Sequence, residues 1–171
     1  MIAVTAAMVV PSISNISQGD IKEESNRLRL VMSFALDESQ LSGVPIRFVA
    51  TKQGWTFESY VEPRRNKDDV ITIEQQPKWL LLGEPPLAEY VLPDGIDISQ
   101  IEQVSDVEYE ALINTDNQND KKEPVLGVIL LLPDGTTSLS NIYLKNEEEK
   151  QVVLEVRPGP AGIRVKKEGE F

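Results

Sequence analysis

The chain has 171 residues, 40% of them hydrophobic, enough for one core with appendages and too apolar for a disordered acidic tail. Its formal net charge of -11 opposes any phosphate backbone, because nucleic-acid binding draws on Lys and Arg to release counterions; no nucleic-acid partner is expected. With neither cysteine nor histidine, the chain has no disulfide framework, no thiolate or imidazole metal ligand, and no Ser-His or Cys-His pair.

Residues 1–10 are apolar, and no charged side chain occurs before Asp20. A bilayer-spanning helix takes about 20 apolar residues, so this run is too short to cross, and it lacks the basic flank of a secretory signal. Two readings stay open: a buried strand or helix start, or the second half of a longer hydrophobic helix. Between Pro11 and Pro45, Ile13, Ile16, Ile21, Leu28, Val31, Met32, Ala35, Leu36 and Ser39 recur at spacings of three and four, which predicts an amphipathic helix. The charges Lys22, Glu23, Glu24, Arg27, Arg29, Asp37 and Glu38 fill the other positions, and Gly43 before Pro45 supplies a stop. Pro11 removes one backbone donor and bends a helix passing through it, so residues 1–43 fit one long, slightly kinked helix.

From Val44 the period changes from 3.6 to 2, and residues 44–50, 55–61 and 70–73 read as strands, with Gln53 and Gly54 turning the first pair. Residues 87–92 and 96–98 flank a Pro93-Asp94-Gly95 turn. The nearly unbroken apolar run 125–132 predicts a central strand buried on both faces, ending in a second turn at Pro133-Asp134-Gly135. Strands over 139–144, 151–156 and 162–165 complete the series, the last pair joined through residues 158–162. One helix thus precedes eight to ten strands, an α+β order. Segments 62–69 and 114–123 are polar loops, and 80–87, with Pro85 and Pro86, reads as an apolar loop covering a sheet edge.

Chemistry-bearing motifs are scarce. No phosphate loop, dinucleotide fingerprint or nucleophile elbow is present. The carboxylates Glu147, Glu148, Glu149, Asp68 and Asp69 read as solvated surface in preference to a catalytic dyad. Asp116, Asn117, Asn119 and Asp120 crowd oxygen donors into one loop, but without EF-hand spacing, so a flexible loop is preferred to a cation site. Trp55 and Trp79 are the side chains able to stack on a sugar, and the alternation around Trp55 assigns it to the core.

Residues 2–11 (Ile-Ala-Val-Thr-Ala-Ala-Met-Val-Val-Pro) resemble the later half of the N-terminal hydrophobic helix of type IV pilins and type II secretion pseudopilins, bending proline included. Residues 26–46 are similar to the helix end and first strand of the H-type minor pseudopilins, the GspH/FimT family. Gly54-Trp55-Thr56-Phe57, the two Pro-Asp-Gly turns and a closing hairpin at Gly162 follow in that family's order. The resemblance spans most of the chain and is weak over 62–90 and 105–124.

That resemblance implies a pilin-like α+β fold: an N-terminal α-helix over 1–43 packed on an antiparallel β-sandwich over 44–171. It implies a non-enzymatic structural subunit of the type II secretion pseudopilus, acting in tip assembly, with no cofactor and no metal. The implied partners are the other minor pseudopilins (I, J and K types), the major pseudopilin, and the prepilin peptidase acting on a full-length, methylated product's precursor. The inner membrane would hold the full-length helix once, with the globular domain in the periplasm. Val4, Met8, Val9, Pro11, Ile13 and Ile16 are the implied assembly helix, their apolar side chains buried among neighbouring helices. The sequence from Met1 onward does not include the basic leader, the peptidase recognition segment or the acidic residue after it that the family carries, and an in-frame hydrophobic segment with a leader is expected upstream of Met1. A minor type IV pilin (FimT/FimU-like) is the alternative, though such pilins often carry a disulfide; a carbohydrate-binding periplasmic sandwich is the rival from another class.

Overall fold

Helix α1 (Ile21–Ser42) begins where Asp20 Oδ1 accepts a hydrogen bond from the Lys22 N–H at 2.9 Å, satisfying one of the donors a helix start leaves open. In this computed structural model, described over residues 20–61, 78–103, 124–159 and 162–166, α1 precedes nine strands. Glu23 and Glu24 in the first turn complement the positive end of the helix dipole. The helix ends at the predicted Gly43, whose φ of 70° lets its N–H reach Ser39 O at 2.9 Å. Asp20 is extended (ψ 118°), so the backbone is not helical there, its short side chain holding the donor that an uninterrupted helix would use. Residues 1–19 lie outside the described residues, as do the strand predicted over 70–73 and the loops over 62–69 and 114–123.

The first sheet contains β1 (Ile46–Thr51), β2 (Gly54–Val61), β3 (Lys78–Leu81) and β6 (Gly127–Leu131) in the order β3-β2-β1-β6, and β4 (Tyr90–Val91) also pairs with β2. The second contains β5 (Ile96–Gln103), β7 (Ser140–Asn146), β8 (Gln151–Val156) and β9 (Ile163–Lys166) in the order β5-β7-β8-β9. Every strand pair is antiparallel. Both Pro-Asp-Gly turns form as predicted, with positive φ at Gly95 (87°) and Gly135 (82°), a conformation that glycine adopts without a Cβ penalty.

Register sets the core. Phe48 stands opposite Phe57 and Ile129, and Ile142 opposite Leu154, so alternate residues of both sheets turn inward. Leu28, Met32 and Ala35 of α1 meet them with no exposed surface, and α1 packs on β1 and β6 of one sheet and on β7, β8 and β9 of the other. Burial of Leu28 and of Met32 contributes about 1.5–3 kcal/mol each relative to exposure. Ser39, also fully buried, lies with its Oγ 2.8 Å from Val44 O and 3.0 Å from Leu131 O, and so ties the end of α1 to β6.

Three expectations need correction. The apolar run 125–132 does yield a strand buried on both faces, but among the described residues β6 ends its sheet and is not central. Its outer edge is covered by the chain folding back through the second Pro-Asp-Gly turn: Ser138 N–H donates to Leu130 O at 3.1 Å, and the Leu130 N–H to Ser138 Oγ at 3.2 Å. Gly54 is not a turn residue. Lys52 and Gln53 make the turn, and Gly54 opens β2, where an added Cβ would lie 2.0 Å from Tyr90 O; glycine is needed there for close approach of β4. The segment 80–87 is only partly a loop: Leu80 and Leu81 lie in β3, paired with Ser59 and Glu58.

On the outward face of the second sheet, Glu155 Oε1 accepts from Arg157 Nη2 at 3.0 Å and from Lys166 Nζ at 2.5 Å. These two cations hold the Glu155 carboxyl down from 4.5 to about 2. Between those values the unfolded chain binds the proton that the folded chain refuses, so this contribution is complete above pH 4.5 and is lost as pH falls toward 2. Arg157 and Lys166 are nearly half exposed, so solvent screening limits the contribution to about 1 kcal/mol. Urea unfolding of Glu155→Gln should show that loss at neutral pH and a shallower fall in stability on acidification than the parent; parallel curves would refute the assignment.

Candidate functional site

The predicted assembly residues Val4, Met8, Val9, Pro11, Ile13 and Ile16 lie outside the described residues, and so does the oxygen-rich loop with Asp116, Asn117, Asn119 and Asp120. Among the described residues no three metal-capable side chains come together, and no helix is long and apolar enough to cross a membrane. Glu148 and Glu149, in the β7–β8 turn, pair with Lys150 at 2.6 Å and Lys145 at 3.1 Å. The Lys150 hydrogen bond holds the Glu148 carboxyl below its ordinary range, the opposite of what a neutral-pH general acid needs. Trp55 is buried, with its ring 4.6 Å from Tyr90 and 6.5 Å from Phe48, and so has no face open to a sugar. Trp79 is engaged on the outer face of the first sheet: its ring contacts Tyr60 at 5.3 Å, and the Arg47 guanidinium sits 4.5 Å from its centroid.

What the described residues do present is a helix with two apolar faces. Leu28, Met32, Ala35 and Ser39 form the buried face at the spacing the sequence predicted. Leu30, Phe34 and Leu41, at i, i+4 and i+11, form a second stripe, and they are 57%, 45% and 84% exposed. The sequence reading missed this stripe, although its spacing was legible. A helix buried on one face needs only one apolar stripe, so the second is apolar area that the core does not use. Phe34, Glu38 and Ser42 also form one wall of a groove of about 580 Å³, whose other wall is the turn from Leu81 to Leu87. Leu81, about half exposed, brings β3 to the rim of that groove.

A buried clasp fixes the other end of α1. Glu24, read from sequence as one of the charges on the polar side, is 4% exposed. Its Oε2 accepts from Tyr90 Oη at 2.9 Å and lies 3.6 Å from Arg27 Nε, while the Arg27 guanidinium rests 5.1 Å from the Tyr90 ring centroid. Burial, and then the bond to Glu24, raise the Tyr90 hydroxyl above its ordinary value, so it remains a donor at neutral pH. The clasp orients α1 on β4 and thereby sets the direction in which its exposed stripe faces.

No protein-family model matches the chain, and no curated protein matches it in sequence. Two solved structures of the minor pseudopilin EpsH from the type II secretion system of Vibrio cholerae are similar to it. One aligns with a TM-score of 0.56 and 14% identity over 88% of this chain and 97% of that chain. The other aligns with a TM-score of 0.57 and 12% identity over 88% of this chain and 95% of that one. At that identity the likeness carries the fold: one N-terminal helix packed on antiparallel sheets, the pilin-like α+β arrangement of the EpsH structures.

Proposed function

We propose that this chain is a minor pseudopilin of type II secretion, a structural subunit that works in assembly at the pseudopilus tip and catalyses no reaction. The observation that carries the reading is the match of helix and both sheets to EpsH over nearly the whole of each chain. The second apolar stripe on α1 supports it, because a subunit held by neighbours needs contact area its own core does not use. In this reading the globular domain lies in the periplasm and Val4, Met8, Val9, Pro11, Ile13 and Ile16 enter the shared helical core of the filament, beneath an inner-membrane anchor. The partners are the I, J and K type minor pseudopilins and the major pseudopilin, and the prepilin peptidase acts on the precursor.

The test is association. Mixed with the soluble domains of the other minor pseudopilins of its source, the chain is expected to form a complex of defined mass by light scattering. Association with minor type IV pilins alone would move it to a pilus, and association with neither set would end the assembly reading.

A further inference from the structure

The groove of about 580 Å³ between the second half of α1 and the turn from Leu81 to Leu87 carries a carboxylate residue on each wall. Glu38 stands on the helix wall, one turn beyond Phe34 and on the same helix face, and Glu84 stands on the opposite wall. Neither carboxylate forms an ion pair or a side-chain hydrogen bond with a described residue. Among the described residues that line the groove, none is Lys or Arg. Most of the remaining lining is apolar. Ile46 and Leu87 are buried at the floor, Val44 and Leu82 are half-buried beside them, and Pro85 and Pro86 are exposed at the rim.

We propose that this groove seats a basic, apolar segment of a neighbouring subunit, whose aliphatic side chains fill the floor while Arg or Lys side chains cross the rim to Glu38 and Glu84. The selection is made by desolvation. An occupant that covers the groove takes both carboxylates out of water, and a purely apolar one would leave them buried without a partner, which opposes binding. Cations on the occupant turn that cost into charge-assisted contacts. Arg and Lys suit the rim because their aliphatic stems lie along apolar surface while the charged head stays at the edge, and either cation is attracted to an aromatic ring such as that of Phe34. A second copy of the chain is disfavoured, since each copy carries a net charge of -11 and two such surfaces repel. A bilayer is flat, and anionic headgroups would meet the rim carboxylates with like charge. The inference rests on the assembly reading and adds to it the chemistry of the neighbour.

The experiment uses the full chain with two probes. One is the set of soluble domains of the other minor pseudopilins of its source, read by light scattering. The other is a fluorescein-labelled peptide of about ten residues, Leu-rich with an Arg near each end, read by anisotropy. Saturable peptide binding is expected, weaker by about tenfold or more when Gln replaces Arg in the peptide and absent when Glu does. The double reversal Glu38→Lys with Glu84→Lys should weaken binding of the Arg peptide by about tenfold or more, gain binding of the Glu peptide, and lose the hetero-complex. Glu147→Lys with Glu148→Lys makes the same change in net charge outside the groove, and should leave the peptide affinity within about twofold. Glu84 is exposed and Glu38 half-buried, so helical circular dichroism and the thermal midpoint of the double reversal should stay near the parent values. The proposal is overturned if the parent shows no saturable binding of the Arg peptide, if the double reversal binds it as the parent does, or if the control pair weakens it equally. A hetero-complex that forms with the parent and survives the double reversal overturns the proposal and leaves the assembly reading standing. No hetero-complex with the parent, whatever the peptide does, ends the assembly reading and with it the neighbour proposed here. Self-association of the parent that the double reversal abolishes overturns the proposal in favour of a second copy.

Discussion

Alanine at Gly54 is expected to destabilise the protein by about 3 kcal/mol or more, one of the two largest effects of a single substitution anticipated in this fold. The new Cβ would lie 2.0 Å from Tyr90 O, 3.1 Å from Tyr90 C and 3.2 Å from Val91 Cα, all backbone atoms that no rotamer change can move. Either β2 shifts within a sheet it holds on both sides, or β4 leaves β2. If β4 leaves, Tyr90 withdraws from the Trp55 ring and from Glu24, and a carboxylate only 4% exposed is left with Arg27 alone. Losing a partner at a buried polar group costs about 1–3 kcal/mol, to which the lost packing adds. A drop in the thermal midpoint of about 10 °C follows for a domain of this size. Gly83→Ala is the control, because a Cβ there meets nothing within 4 Å, and its unfolding free energy should stay within about 0.5 kcal/mol of the parent. Equal midpoints for the two variants would mean that β4 is not held against β2 as the structure has it.

Why the sequence read Gly54 as a turn residue, and the structure does not, bears on what a single chain can reveal. Local backbone demands were legible: Gly43 ends α1, both Pro-Asp-Gly turns form, and the alternation over β1, β2, β7 and β8 places the correct residues inward. Each of these follows from chain neighbours within a few positions. Gly54 is glycine because of Tyr90, distant in sequence, and no local pattern reports that approach. Residues 125–132 pose the same problem. An apolar run records burial on two faces, but hydrogen-bonding neighbours depend on topology, and among the described residues β6 is an edge strand closed by its own following turn. Glu24 stood in sequence only among the charges between the apolar positions, and its burial was not legible because its partner Tyr90 is brought to it only by the tertiary fold. The exposed stripe of Leu30, Phe34 and Leu41 was different in kind. Its spacing was visible, yet it was passed over because the stripe of Leu28, Met32 and Ala35 already accounted for a core-facing helix.

Those two stripes give the second large effect, and in the assembly reading they separate stability from association on one helix. Met32→Ala removes a side chain with no exposed surface from the junction of α1 with both sheets, and a loss of about 2–5 kcal/mol is expected in urea unfolding. Leu28→Ala, one turn away and equally buried, should cost a similar amount. The two losses together should fall short of or exceed their sum, since neighbouring sites share the cavity they open. Phe34→Glu acts on the opposite face. Its side chain is already 45% exposed and borders the groove lined by Leu81 to Leu87, so the unfolding free energy should change by less than about 1 kcal/mol. In the assembly reading, however, that charge enters a surface built from Leu30, Phe34 and Leu41, where an unpaired carboxylate must be desolvated on contact. Hetero-complex formation by Phe34→Glu should therefore fall by at least about tenfold while its fold stays intact. The inner-face variants should still associate under conditions where they remain folded. If Phe34→Glu associates as the parent does, the outer stripe of α1 is not the contact surface.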